Sequence, residues 1–128
     1  MTYTILKAPV AWWPVAWDGV GEDGAPIKCQ FEMRFRLLKV DAVVDFMTEV
    51  ETVREKEGTA GRDLAKLYAG LIEKVSTDWR GVLAENGDPV PFATDALTQM
   101  MNEPGMFARV FDAFRDCING RHEARAGN

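Results

Sequence analysis

One stretch of the chain, residues 26–38, alternates between apolar and polar side chains without a miss. Six apolar residues share one parity: Ile27, Cys29, Phe31, Met33, Phe35 and Leu37. The other parity is polar and mostly basic: Lys28, Gln30, Glu32, Arg34 and Arg36. Because a β-strand sends successive side chains to opposite faces, this pattern predicts a strand with one buried row and one solvated row. Such a strand cannot satisfy its backbone groups or its apolar row alone, so other elements must cover it.

Two segments before this strand predict its neighbours in a sheet. Residues 2–7 are rich in β-forming residues and predict a short first strand. Residues 10–17 predict a second strand, and Pro14 indicates that this strand either lies at an edge or is broken there, because proline has no N–H for a ladder. A glycine-rich turn at residues 18–26 leads to the alternating strand. We expect an antiparallel meander of two to three strands.

The apolar period changes from two to about 3.6 after the alternating strand. It predicts a helix from Asp41, as N-cap, to about residue 56, and a second helix from about residue 62 to 77. A short helix begins at Thr94, and a last helix covers residues 106–118. The apolar stripes are narrow, which is typical of helices that lie over one face of a small sheet.

This order of elements predicts one α+β domain, with an N-terminal antiparallel sheet of two to three strands followed by about four helices. A chain of 128 residues is long enough to bury one substantial core. We divide it into a β meander at 1–38, a helical part at 39–120 and a polar tail at 121–128. Within the helical part, Trp79 and Phe92 bracket a loop and are expected to attach it to the core.

Composition and charge exclude several classes of protein. The chain is 47% hydrophobic and 27% charged, which is typical of a soluble globular domain. Its 15 basic and 20 acidic residues give a net charge of −5, which argues against general nucleic-acid binding. No apolar run is long enough to span a membrane and no secretory leader is evident. Cys29 and Cys117 lie on apolar faces without metal-ligand spacing, which indicates buried free thiols in a cytosolic compartment.

Residues suited to catalysis are few and poorly placed. The only histidine, His122, lies in the polar tail and has no evident partner for proton transfer. Asp112 and Asp116 could be an acid–base pair or half of a metal site, but they fall on the polar side of an amphipathic helix. Ser76 is the only serine and no nucleophile motif surrounds it. We therefore expect neither an enzyme nor a bound metal or cofactor.

The tryptophans at the start of the chain are candidates for a partner-binding surface. Trp12 and Trp13 are adjacent, so in a strand they must point to opposite faces. Trp13 shares its parity with Trp17. Either one row belongs to the core while the other is covered locally, or one indole belongs to an exposed patch that binds a partner.

Charge is unevenly distributed between the alternating strand and the helix that follows. Residues 27–39 contain four basic residues and one acidic residue, a net charge of +3, whereas residues 41–57 contain six acidic and two basic residues, a net charge of −4. These segments are either two solvated faces of one molecule or complementary surfaces of neighbouring copies. The candidate partner-binding residues are Trp13, Trp17, Arg34 and Arg36.

Three segments together resemble a known family. Residues 31–38 follow the pattern Phe-x-Met-x-Phe-x-x-Leu. Residues 79–82 read Trp-Arg-Gly-Val, and residues 86–92 read Asn-Gly-Asp-Pro-Val-Pro-Phe. A Thr-x-x-Leu helix start at residues 94–97, one residue shorter than the family pattern, is followed by a Pro-Gly break and a final helix. Together with the tryptophan- and proline-containing strand before them, these segments resemble the tail assembly chaperones of long-tailed bacteriophages and prophages, a family that does not require the Trp12–Trp13 pair or the long glycine-rich turn.

The resemblance implies a non-enzymatic assembly factor in the host cytoplasm. Such chaperones bind the long helical tape measure protein, keep it soluble during tail assembly and are absent from the finished tail. The resemblance implies the tape measure protein as partner. The charge pattern adds self-association as an expectation, and the net charge and the lack of a long apolar run lead us to expect no nucleic acid and no membrane as partners. It assigns no binding residues by position. A structural head–tail connector or tail completion subunit is the alternative, and a host adaptor or toxin–antitoxin-type binding module is a third class.

Overall fold

The structure, a computed structural model, describes residues 1–122. Within this range the chain forms a three-stranded sheet and four helices. Residues 123–128, most of the predicted polar tail, lie outside the described residues. The elements are β1 (Val10–Val20), β2 (Pro26–Arg36), α1 (Val40–Glu55), a 3-10 turn (Gly61–Asp63), α2 (Leu64–Val75), β3 (Ser76–Arg80), α3 (Thr94–Met101) and α4 (Met106–Ile118). The predicted α+β class is confirmed.

The alternating segment is the central strand of the sheet. The strand order is β1-β2-β3, and both pairings are antiparallel. β1 and β2 are paired along their full length, from Val10 opposite Arg36 to Val20 opposite Pro26. Pro14 lies in β1, which has a neighbouring strand on one side only, so the predicted edge position is confirmed.

The third strand is not the predicted one. Residues 2–7 form no strand, and the sheet is completed by β3, which follows α2 directly within the predicted helical part. A register shift interrupts its alternation, because Phe35 pairs with Ser76 and Arg34 with Asp78, leaving Thr77 without a partner. As a result Ser76 and Trp79, three residues apart, are both buried, and a search for period two does not detect the strand.

Helix α4 lies between the sheet and the other helices. Its Phe114 ring contacts Phe35 of β2 at 5.5 Å and Phe46 of α1 at 5.4 Å, both edge-on. Its Phe107 ring stacks on Tyr68 of α2 at 4.3 Å. Burial of each such aromatic side chain stabilises the fold by roughly 1.5–3 kcal/mol. The helices therefore cover one face of the sheet, as the narrow apolar stripes predict.

Two predicted helix ends are wrong by one or two residues. Lys39, not Asp41, is the N-cap of α1, and the Asp41 carboxylate instead accepts a hydrogen bond from the backbone N–H of Ala42 at 2.8 Å. Helix α2 ends before Ser76 rather than at Thr77, because Ser76 has the extended φ of −134° and ψ of 154° that begin β3. The Ser76 hydroxyl group donates back to the helix.

The loop after β3 is attached to the core as predicted. The indole N–H of Trp79 donates to the carbonyl of Val90 at 2.7 Å, and the Phe92 ring meets the indole edge-on at 5.2 Å. At the tip of the loop, the Asn86 side-chain oxygen accepts from the backbone N–H of Asp88 at 3.0 Å. Such a side-chain bond stabilises a tight turn. The loop is therefore held at its base and at its tip.

Candidate partner-binding surfaces

The face of the sheet opposite the helices is not buried by any of them. Cross-strand pairs on this side include Trp12 with Arg34, and Asp18 with Lys28. Its residues are half-buried or exposed, whereas the central residues of the other face are buried. We call this side the open face, and it comprises Val10, Trp12, Pro14, Ala16, Asp18, Val20, Pro26, Lys28, Gln30, Glu32, Arg34, Arg36, Asp78 and Arg80.

A three-residue cluster lies in the three-stranded part of the open face, near the start of β1 and the end of β2. The Arg80 guanidinium carbon is 4.1 Å from the centroid of the Trp12 ring, a cation–π contact that links the two outer strands. Arg80 Nε also donates to the Glu32 carboxylate at 2.8 Å, and this hydrogen bond raises the pKa of Arg80. The cluster therefore consists of a half-buried indole with the Arg80–Glu32 ion pair beside it, and the Arg80 guanidinium lies over the ring. Sequence reasoning missed Trp12 and Arg80 as site residues because their meeting depends on the undetected β3.

The open face is mixed in charge rather than basic. Its four basic residues are opposed by three acidic ones, which gives a net charge of +1. Arg34 is half-buried and has Trp12 and Asp78 as its cross-strand neighbours. Arg36, at the end of β2, is exposed. Both predicted arginines therefore lie on the open face, and acidic residues from each of the three strands moderate their charge.

The two predicted tryptophans lie on the covered face. Trp13 is 6% exposed and pairs with Met33 across the strands, so it offers almost no surface to a partner. Trp17 is half-buried, with the Phe31 ring edge-on at 6.1 Å and the Arg109 guanidinium carbon 5.1 Å from its ring centroid. The structure therefore does not bring Trp13 and Trp17 onto one surface with Arg34 and Arg36.

The acidic surface of α1 lies away from the open face. Most of its carboxylates are exposed, and Glu49 forms an ion pair with Lys74 of α2. Because α1 packs through Phe46 on α4, on the covered side of the sheet, the basic residues of β2 and the acidic residues of α1 do not pair within one molecule. Both surfaces are free to face other copies or partners, and self-association stays a prediction.

The residues considered for catalysis lie apart from the open face. Asp112 accepts a hydrogen bond from Arg115 at 2.9 Å, and Asp116 pairs with Arg121 at 3.6 Å. Burial raises the pKa of the Cys117 thiol to about 11. Within residues 1–122, no group of three or more histidine, cysteine or carboxylate side chains is arranged to hold a metal ion.

In comparisons with known proteins, no family model, curated protein or solved structure matches this chain. Among the helices of residues 1–122, none has the length and apolar character needed to cross a lipid bilayer.

Proposed function

We propose that this protein is a non-enzymatic tail assembly chaperone of a long-tailed bacteriophage or prophage, which binds and solubilises the tape measure protein in the host cytoplasm. The observation that carries the proposal is the open face, where two eleven-residue strands present a surface that none of the helices within residues 1–122 buries. The family resemblance of residues 31–38 and 79–97 supports the identity of the partner.

The open face has the chemistry of a protein-binding surface. It contains an aromatic side chain, Trp12, with residues of both charge signs around it. Aromatic and arginine side chains are enriched at protein interfaces. Such a face suits helices of mixed charge, and many copies along one long partner would convert weak single contacts into strong overall binding.

Co-expression with the longest coiled-coil-rich protein encoded in the same gene cluster tests the proposal. We expect the tape measure protein to become soluble and to elute with this chain in size-exclusion chromatography with light scattering. Lys28→Glu combined with Arg36→Glu reverses two exposed charges on the open face and should lower the co-eluting amount at least tenfold. Lys56→Glu combined with Arg62→Glu, also at exposed positions, is the matched control and should have little effect.

Two outcomes would contradict the proposal. If the tape measure protein remains equally insoluble and no complex forms with the unaltered chain, the protein is not its chaperone. If the chain instead forms a discrete closed ring that persists in finished virions, it is a connector or tail completion subunit. Circular dichroism of each variant separates lost binding from lost folding.

A further inference from the structure

An open groove runs between α1 and α2 on the outer surface of the molecule. Its volume is about 350 Å³. Val53 of α1, with Leu67 and Leu71 of α2, supplies its apolar floor. Val53 and Leu71 are also part of the buried core, so the floor is rigidly held. The groove is therefore a shallow apolar depression on a stable base rather than a gap in the packing.

A glycine in the middle of α2 keeps this groove open. Glycine in a helix interior costs roughly 0.5–1 kcal/mol relative to alanine. A Cβ atom added to Gly70 would meet no atom within 4 Å, so packing inside this chain does not require glycine there. On the α1 side, the hydroxyl groups of Thr48 and Thr52 donate to carbonyls of their own helix, each at 3.1 Å. These hydroxyls need no new partner when water leaves the groove.

The two rims of the groove carry opposite charges. Lys66 and Lys74 line it on α2, and Glu49 lines it on α1. The ion pair between Lys74 and Glu49 spans one end. The exposed Asp45 adds further negative charge along α1. Because Lys74 and Glu49 pair with each other, the charges left for a ligand are Lys66 on the α2 rim and Asp45, which extends the α1 rim beyond the groove lining. A ligand complementary to them is apolar in the middle, acidic on the α2 side and basic on the α1 side.

We propose that this groove binds one amphipathic α-helix of a partner protein, with an apolar stripe flanked by acidic residues on one side and basic residues on the other. The identity of that partner as the tape measure protein rests on the proposed function, whereas the groove and its charges do not. An apolar groove between two helices receives a helix through side chains spaced three to four residues apart. Rims of opposite sign also fix the direction in which the helix lies.

Filling the groove tests the inference. Gly70→Leu places a large side chain in it and, because leucine favours helix, is expected to leave α2 as stable or more stable. Gln99→Leu adds the same side chain at an exposed position of α3 outside the groove and is the control. The probe is a dye-labelled synthetic helix of about 20 residues, long enough to be helical, with a leucine stripe flanked by glutamates and lysines. Fluorescence anisotropy gives its affinity.

We expect the probe to bind the unaltered protein and Gln99→Leu equally, and Gly70→Leu at least tenfold more weakly. Probes with both flanks acidic or both flanks basic should bind the unaltered protein at least tenfold more weakly than the mixed probe. Equal binding of the mixed probe to Gly70→Leu, or no preference among the probes, would overturn the inference.

Co-expression with the tape measure protein separates this inference from the proposed function. If Gly70→Leu solubilises the tape measure protein as well as the unaltered chain does, the groove is not the docking site and the chaperone function stands. If the mixed probe loses affinity for Gly70→Leu but no tape measure complex forms with either protein, the groove binds helices and the proposed function fails.

Discussion

The two faces of one sheet differ in what neighbouring tryptophans do. Trp13 points to the covered face, where it is 6% exposed and lies among the core side chains. Trp12, the preceding residue, points to the open face and is half-buried beneath the Arg80 guanidinium group. The same strand therefore contributes one indole to folding and another to a surface cluster.

The two faces also differ in the kind of contact that holds them: one stabilises the fold, and the other is open to a partner. The covered face is held by apolar and aromatic contacts that water cannot replace, such as Phe35 against Phe114. The open face carries the ion pair of the exposed Arg80 with the half-buried Glu32, a contact near the surface that water and salt can replace. A partner can therefore compete for the open face without disturbing the core.

The largest expected effect is that of Trp13→Ala. Removing a buried tryptophan from the covered face should lower the free energy of unfolding by about 3–5 kcal/mol, because the lost contacts leave a cavity. Urea denaturation followed by circular dichroism measures this change. A loss below about 1 kcal/mol would show that Trp13 is not part of the core and that the two faces are energetically alike.

The sequence pattern predicts the covered face well but not its extent. Met33 and Phe35 are fully buried, as the alternation of β2 predicts. Ile27 has the same parity and is nevertheless 50% exposed, since the turn end of the β1–β2 hairpin extends beyond the part that the helices cover. Periodicity identifies the face to which a side chain points. It does not show how far the packed elements reach along that face, and therefore not which of its side chains are buried.

The open face was less predictable because its third strand has no local signal. Strand β3 has five residues and a bulge, and only its pairing with the distant β2 makes it a strand. Without β3, neither the position of Arg80 nor its contact with Trp12 follows from the sequence. The roles of Arg34 and Arg36 on this face stay predictions, whereas their placement on one solvated row agrees with the alternation.

The pH dependence of stability tests the covered face with a smaller expected effect. Burial raises the pKa of Cys117 to about 11, above the value of about 9 for a free thiol. As the pH rises from about 9 to about 11, the unfolded chain loses this proton first, so the folded state should lose about 1–3 kcal/mol of stability.

Urea denaturation of the unaltered protein and of Cys117→Ala across this pH range measures the effect. The decline should be smaller in Cys117→Ala, which keeps every other titrating group, including the half-buried Cys29. An identical decline in both proteins would show that the Cys117 thiol is ionised as easily in the folded state as in the unfolded chain.

The smallest expected effect on folding is that of Trp12→Ala on the open face. The substitution removes a half-buried ring and its contact with Arg80. It should lower the free energy of unfolding by about 1 kcal/mol, well below the effect of Trp13→Ala.

The Trp12→Ala variant should nevertheless weaken binding to the tape measure protein severalfold, because it removes the only aromatic side chain of the open face. Denaturation and co-elution, measured on both tryptophan variants, test this contrast. If Trp12→Ala instead destabilises the fold as much as Trp13→Ala while leaving co-elution unchanged, the open face belongs to the structural core and the partner binds elsewhere.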